Sequence, residues 1–126
     1  RQLLEDRTLT IFGDGLQVRD FNYVDDVVEA LLMVAANEVA DGQIYNLGSD
    51  DPINLLNLAR LLIEVNQGGA FELLSFPAER KRIDIGDYYG DYRRIRSKLG
   101  WRPLVGLRDG LTRTMDYFRE NLEHYV

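Results

Sequence analysis

The chain has 126 residues, 45% hydrophobic and 29% charged, with 15 Lys and Arg against 21 Asp and Glu for a net charge of −6. That length suits one domain spanning residues 1–126 around a single core, and the composition argues against disorder. The acidic balance argues against nucleic acid as a partner, and the absence of cysteine excludes disulfides, thiolate nucleophiles and thiolate metal sites.

Apolar runs extend only a few residues, against the ~20 needed to cross a bilayer, and no basic-then-apolar leader opens the chain. The expectation is a soluble, cytoplasmic protein without a membrane partner. The first residue is Arg1 rather than Met, within what reads as a helix-to-strand passage, so the chain is expected to be a piece of a longer protein. Charge is partitioned: residues 1–78 carry −9, residues 79–98 carry +3 and residues 99–126 are neutral. One basic island in an acidic chain suits a small anion such as a phosphate or pyrophosphate, or else a solvated helix face.

In chain order, Leu9-Thr10-Ile11-Phe12 reads as a strand closed by the turn Gly13-Asp14-Gly15. Val24, Val27, Val28, Leu31, Leu32 and Ala35 follow at helical spacing and predict a helix with that stripe buried, Asp25 and Asp26 standing in its first turn. Gln43 to Leu47 reads as a second strand, ended by Gly48-Ser49-Asp50-Asp51-Pro52. Asn54 can cap a helix with Leu55, Leu58, Ala59 and Leu62 on one face, and Leu56, Leu61 and Ile63 place it between layers. Gln67-Gly68-Gly69 ends it, and Phe71 to Phe76 reads as a third strand. Tyr92, Ile95 and Leu99 mark a short helix ending at Gly100, and Leu107, Leu111, Met115, Phe118 and Leu122 mark a longer last one. The order β-α-β-α-β-α-α predicts an α/β fold, a small sheet covered by helices.

No self-contained catalytic set is present, and no catalytic residue is assigned. Gly13-Asp14-Gly15 begins like a dinucleotide fingerprint, but Val18 stands where the third glycine belongs. The only histidine, His124, lies at the C-terminal end. The pairs Asp25-Asp26 and Asp50-Asp51 fall at an expected helix start and turn, where carboxylates cap backbone. Two places suit recognition instead. Arg19 follows the glycine turn and can clamp a phosphate or pair with Asp20 or a neighbouring acid. Between Glu79 and Asp91 cations and carboxylates alternate, the first suited to phosphate and the second to sugar hydroxyls.

The run LTIFGDGLQVRDFNYVDDVVEA over residues 9–30 resembles the segment opening the substrate-binding lobe of nucleotide-sugar epimerases, dehydratases and decarboxylases of the extended short-chain dehydrogenase/reductase family. Residues 44–48 (IYNLG), the stretch Arg80 to Asp91 with Leu99 to Pro103, and Gly110-Leu111 with Tyr117-Phe118 resemble its later landmarks in the same order. The resemblance implies a C-terminal lobe whose NAD-binding Rossmann half and Tyr-x-x-x-Lys pair precede Arg1; none of the seven tyrosines has Lys four residues on. It implies NAD or NADP in the parent protein, no cofactor and no metal held by this chain alone, a nucleotide-sugar substrate, and it is compatible with a homodimeric parent.

Residue by residue, the resemblance implies that Arg19 contacts the pyrophosphate and that Ile11 and Phe12 lie against the base. It also implies that Asp84, with one of Arg80, Lys81 or Arg82, holds the ribose or phosphates, Arg82 being preferred. The expected function is the substrate-binding portion of an NAD(P)-dependent nucleotide-sugar enzyme resembling UDP-sugar 4-epimerases or 4,6-dehydratases. Two other readings stand beside it: a UDP-glucuronate decarboxylase-like member of the family, or a stand-alone α/β interaction domain.

Overall fold

The structure is a computed structural model that describes residues 1–125. It contains four strands, β1 (Leu9–Phe12), β2 (Val18–Arg19), β3 (Ile53–Asn54) and β4 (Phe71–Leu74). Its five helices are α1 (Val24–Ala35), α2 (Leu55–Asn66), α3 (Ala78–Lys81), α4 (Arg93–Leu99) and α5 (Leu107–Asn121). The fold is α/β, as the alternation of strand and helix patterns predicts. The strands form two pairs rather than one sheet: β1 runs parallel to β4, Leu9 opposite Phe71 and Phe12 opposite Leu74, and β2 runs antiparallel to β3.

The parallel pair needs a crossover, and α2 supplies it, packing on β1 on one side and α5 on the other. Asn54 caps α2, its side-chain oxygen accepting from the Asn57 amide at 2.8 Å. Gln67 ends α2 in the left-handed region, at φ +58°. A second nucleus is built from Ala30, Tyr92, Ile95 and Trp101, with Tyr92 and Trp101 edge to face at 5.7 Å. Asp26 locks it: the Trp101 indole N–H donates to its backbone carbonyl at 2.9 Å. Its buried carboxylate accepts from the amides of Leu104 and Val105 at 3.1 and 3.0 Å.

Three sequence expectations differ from the structure. The stripe predicted to be buried on α1 is largely exposed: Val24, Val28, Leu31 and Leu32 stand outward, while Asp26 and Ala30 are buried. Both faces of α1 carry apolar residues, and periodicity alone could not decide which meets the core. Gln43 to Leu47 is not a strand, because no other segment among the described residues offers it a ladder. Instead Arg94 donates to the Ile44 carbonyl at 3.1 Å and stacks over the Tyr45 ring. The third strand stops at Leu74, short of Phe76.

Candidate substrate cleft

The strand β1 and the helix α2 diverge to leave a cleft of about 390 Å³. Leu9, Ile11 and Phe12 form one wall, Leu55, Leu58 and Leu62 the other, and Phe76 lies across it from the end of β4. Ile11 is buried, and the Phe12 and Phe76 rings tilt together at 6.1 Å. Gln17, Arg19 and Asp84 add polar groups to this apolar enclosure. A pocket of mostly apolar walls with a few convergent polar groups is the usual form of a small-molecule site.

Arg19 reaches the cleft because it ends β2, whose pairing with β3 fixes its direction. Its guanidinium donates to the Val18 carbonyl at 2.7 Å and to the Gly86 carbonyl, and it faces the Asp84 carboxylate at 3.7 Å. Five N–H donors in a fixed fork leave capacity for a further acceptor. Asp20 is not its partner. Asp20 follows the end of β2, and its carboxylate accepts instead from the amides of Ser49 at 3.2 Å and Gly90 at 2.9 Å.

The segment from Ile83 to Gly90 runs alongside β2 as a strap, with Arg19 and Tyr88 paired in a parallel bridge. The Tyr88 amide donates to the Val18 carbonyl at 3.0 Å, and the Val18 amide donates to the Asp87 carboxylate at 2.8 Å. Gly86 takes φ +66° where the strap bends, so its carbonyl can meet Arg19.

Of the residues singled out in the sequence, the fold brings Ile11, Phe12, Arg19 and Asp84 into one cleft. Arg82 lies at the end of α3, exposed and outside the cleft lining, whereas Arg80 places its guanidinium 4.9 Å from the centre of the Phe12 ring. Sequence reasoning missed Gln17, Phe76 and the cleft-lining role of Leu55, Leu58 and Leu62, which read only as a core face. The sequence offers Asp20 only as a partner for Arg19, and no sequence signal marks its bonds to the distant amides of Ser49 and Gly90.

The glycine turn is not a dinucleotide cradle. A Cβ at Gly13 would come within 3.1 Å of the Phe76 ring, and one at Gly15 within 3.1 Å of Ile11 and 3.2 Å of the Leu56 amide nitrogen. Both glycines have positive φ and are needed for packing, and the turn leads into β2 rather than a helix.

Against known proteins, the model of the NAD dependent epimerase/dehydratase family matches residues 1–48. UDP-glucuronic acid decarboxylase 1 of Xenopus tropicalis is 36% identical over 98% of this chain, which spans 28% of that protein. The crystal structure of UDP-glucose 4-epimerase from Thermotoga maritima with UDP-glucose superposes with a TM-score of 0.81 at 33% identity, over 96% of this chain and 38% of that one. The dTDP-glucose 4,6-dehydratase DesIV of Streptomyces venezuelae, crystallised with NAD, superposes with a TM-score of 0.84 at 30% identity, over 97% of this chain and 37% of that one. The chain thus spans between about a quarter and two fifths of the length of these relatives. With this similarity in sequence and fold extending along nearly its whole length, the chain belongs to the NAD-dependent epimerase/dehydratase family and corresponds to the C-terminal part of its members.

Proposed function

We propose that residues 1–126 are the nucleotide-sugar-binding portion of an NAD(P)-dependent epimerase or dehydratase, and that Arg19 anchors the diphosphate of the substrate. The observation that carries this reading is the placement of Arg19, a partly exposed guanidinium at an apolar cleft with Asp84 facing it at 3.7 Å. A nucleotide has an apolar ring, vicinal hydroxyls and a polyanion in series. The cleft is lined by Phe12 and Ile11, by Asp84 and by Arg19, groups suited to each.

Relatives of this chain carry out epimerisation, dehydration and decarboxylation on different nucleotide-sugars, so what this portion shares with them is anchoring rather than one outcome. The nicotinamide cofactor supplies hydride transfer in such enzymes when bound. The turn Gly13-Asp14-Gly15 does not fit a dinucleotide fingerprint, since Phe76, Ile11 and Leu56 pack against its glycines and it leads into β2 rather than a helix. The contribution of this portion is to bind the nucleotide, orient the sugar and keep water from the cleft, with NAD or NADP held elsewhere in the protein.

Turnover of the full-length protein on a panel of UDP- and dTDP-sugars, with and without Arg19→Ala, tests the reading. A raised KM for the preferred sugar, with NAD affinity and melting temperature unchanged, is the expected result. An unchanged KM with a lowered melting temperature makes Arg19 a structural residue and removes the anchor.

A further inference from the structure

The strap beside β2, which brings Asp84 to the cleft, is held in an unusual way. It carries Ile83, Ile85, Tyr88 and Tyr89, all of them exposed, so apolar burial contributes little to its position. What fixes it is polar: the Asp87 and Tyr88 contacts to Val18, the Arg19 contact to Gly86, and at its far end the Asp20 carboxylate on the Gly90 amide. That last bond is charge-assisted and partly buried, and the same oxygen of Asp20 also accepts from the Ser49 amide. Around it the backbone is in close contact. A side chain at Gly48 would run into the Gly90 carbonyl, and one at Gly90 into the Leu47 carbonyl. Only two glycines allow the strap end and the Leu47–Ser49 turn to approach closely enough to share one carboxylate.

Asp20 therefore joins three separate stretches of chain: the end of β2, the turn at Gly48-Ser49 and the end of the strap. Its neighbour Arg19 points the other way, into the cleft, and touches the same strap at Gly86 and Asp84. We propose that Asp20 is a positioning residue of the cleft: it clamps the strap end to the Gly48-Ser49 turn and so keeps Asp84 and Gly86 in place around Arg19. This rests on the reading of Arg19 as the diphosphate anchor. A loose strap leaves Arg19 free to adopt other rotamers and removes the fixed position of Asp84, so ligand binding would bear the cost of ordering both.

Measurement on the full-length protein uses UDP and dTDP as probes, titrated calorimetrically into the unsubstituted protein, Arg19→Ala, Asp20→Ala and Asp20→Asn, with hydrogen exchange followed over residues 83–90. Asp20→Ala is expected to raise the dissociation constant of the bound nucleotide on the order of tenfold, the scale of a lost charge-assisted bond. It should accelerate exchange in residues 83–90 and leave exchange in α5 unchanged. Asp20→Asn, which retains an oxygen acceptor without the charge, should fall between, and it serves as the test variant if Asp20→Ala does not fold. Unchanged exchange over residues 83–90 overturns the clamp, and so does faster exchange with unaltered affinity. If Arg19→Ala binds the probes as the unsubstituted protein does, or neither probe binds, the anchor reading fails. The exchange data then decide separately whether Asp20 holds the strap.

Discussion

Arg19 is the residue on which the cleft turns, and its contacts set what its replacement should do. A charge-assisted bond to a phosphate is made in ground and transition states alike, so its loss falls on KM, by about 1.5–3 kcal/mol or roughly ten- to hundredfold. Asp84→Ala should raise KM less, because removing this carboxylate loses a hydroxyl acceptor yet also relieves Arg19 of a competing negative charge at 3.7 Å. The basic triplet divides differently. Neither Arg80 nor Arg82 lines the cleft, but Arg80 stacks on the ring of Phe12, which does, so Arg80→Ala should raise KM by up to about fivefold, the scale of an exposed cation–π contact, and Arg82→Ala should leave it unchanged. Steady-state kinetics on the two variants separates them, and the reverse order would restore Arg82. The resemblance groups Arg19, Asp84, Ile11 and Phe12 from the sequence alone, and the fold places all four along one cleft. The choice within Arg80–Arg82 was not legible in the sequence, since it depends on where the four-residue helix α3 begins and which way its last turn faces.

At the level of elements, the four longer helices and the four-residue strands β1 and β4 were readable, and the two-residue strands and the short α3 were not. α1, α2, α4 and α5 fall where apolar spacing, the Asn54 cap and the stops at Gln67 and Gly100 predict them. β2 and β3 have two residues each, too short for alternation to register, and they exist because Val18 and Arg19 find Asn54 and Ile53. α4 owes its place to Ile95, nearly fully buried against Ala30 and Trp101. Truncation as Ile95→Ala should cost about 2–5 kcal/mol, read by denaturant unfolding, because a cavity opens where the neighbours cannot collapse. The start of α4 carries a pH dependence. Asp91 accepts from the backbone and side chain of Arg93, and these bonds hold its carboxyl down at about 2. A depressed carboxyl stabilises the folded chain above its unfolded value of 3.8. That contribution fades as pH falls from about 4 through about 2. Asp91→Asn should therefore lower the melting temperature slightly at neutral pH and not at pH 2, the difference shrinking in high salt because the pair is exposed. An equal effect at both pH values would mean the side chain acts through packing rather than charge.

Across the whole molecule the most informative surface is the outer face of α1. Val24, Val28, Leu31 and Leu32 lie on it at i, i+4, i+7 and i+8, with exposures of 60, 46, 63 and 60%. Their spacing predicts the helix correctly and their burial wrongly, because the face that meets the core within this chain is the one carrying Asp26 and Ala30. Ile44, 79% exposed in the extended stretch from Gln43 to Leu47, is a further apolar side chain without cover. An apolar face on this scale is uncommon on a monomeric domain, where the largest patches cover a few hundred Å². The relatives this chain matches are between two and a half and four times its length. If additional protein covers α1 in the longer molecule, residues 1–126 produced alone should self-associate as concentration rises, and sedimentation velocity should show it. Leu31→Glu should reverse that association without lowering the melting temperature, since Leu31 contributes little burial within the chain itself. A monodisperse monomer at every concentration would show that the face needs no cover and would favour the stand-alone interaction domain. Binding of NAD divides the two readings from the other side. A portion whose glycine turn is closed by Phe76 and Leu56 should give no saturable heat on titration with NAD, and a clear binding isotherm would mean that a dinucleotide site lies within this chain after all.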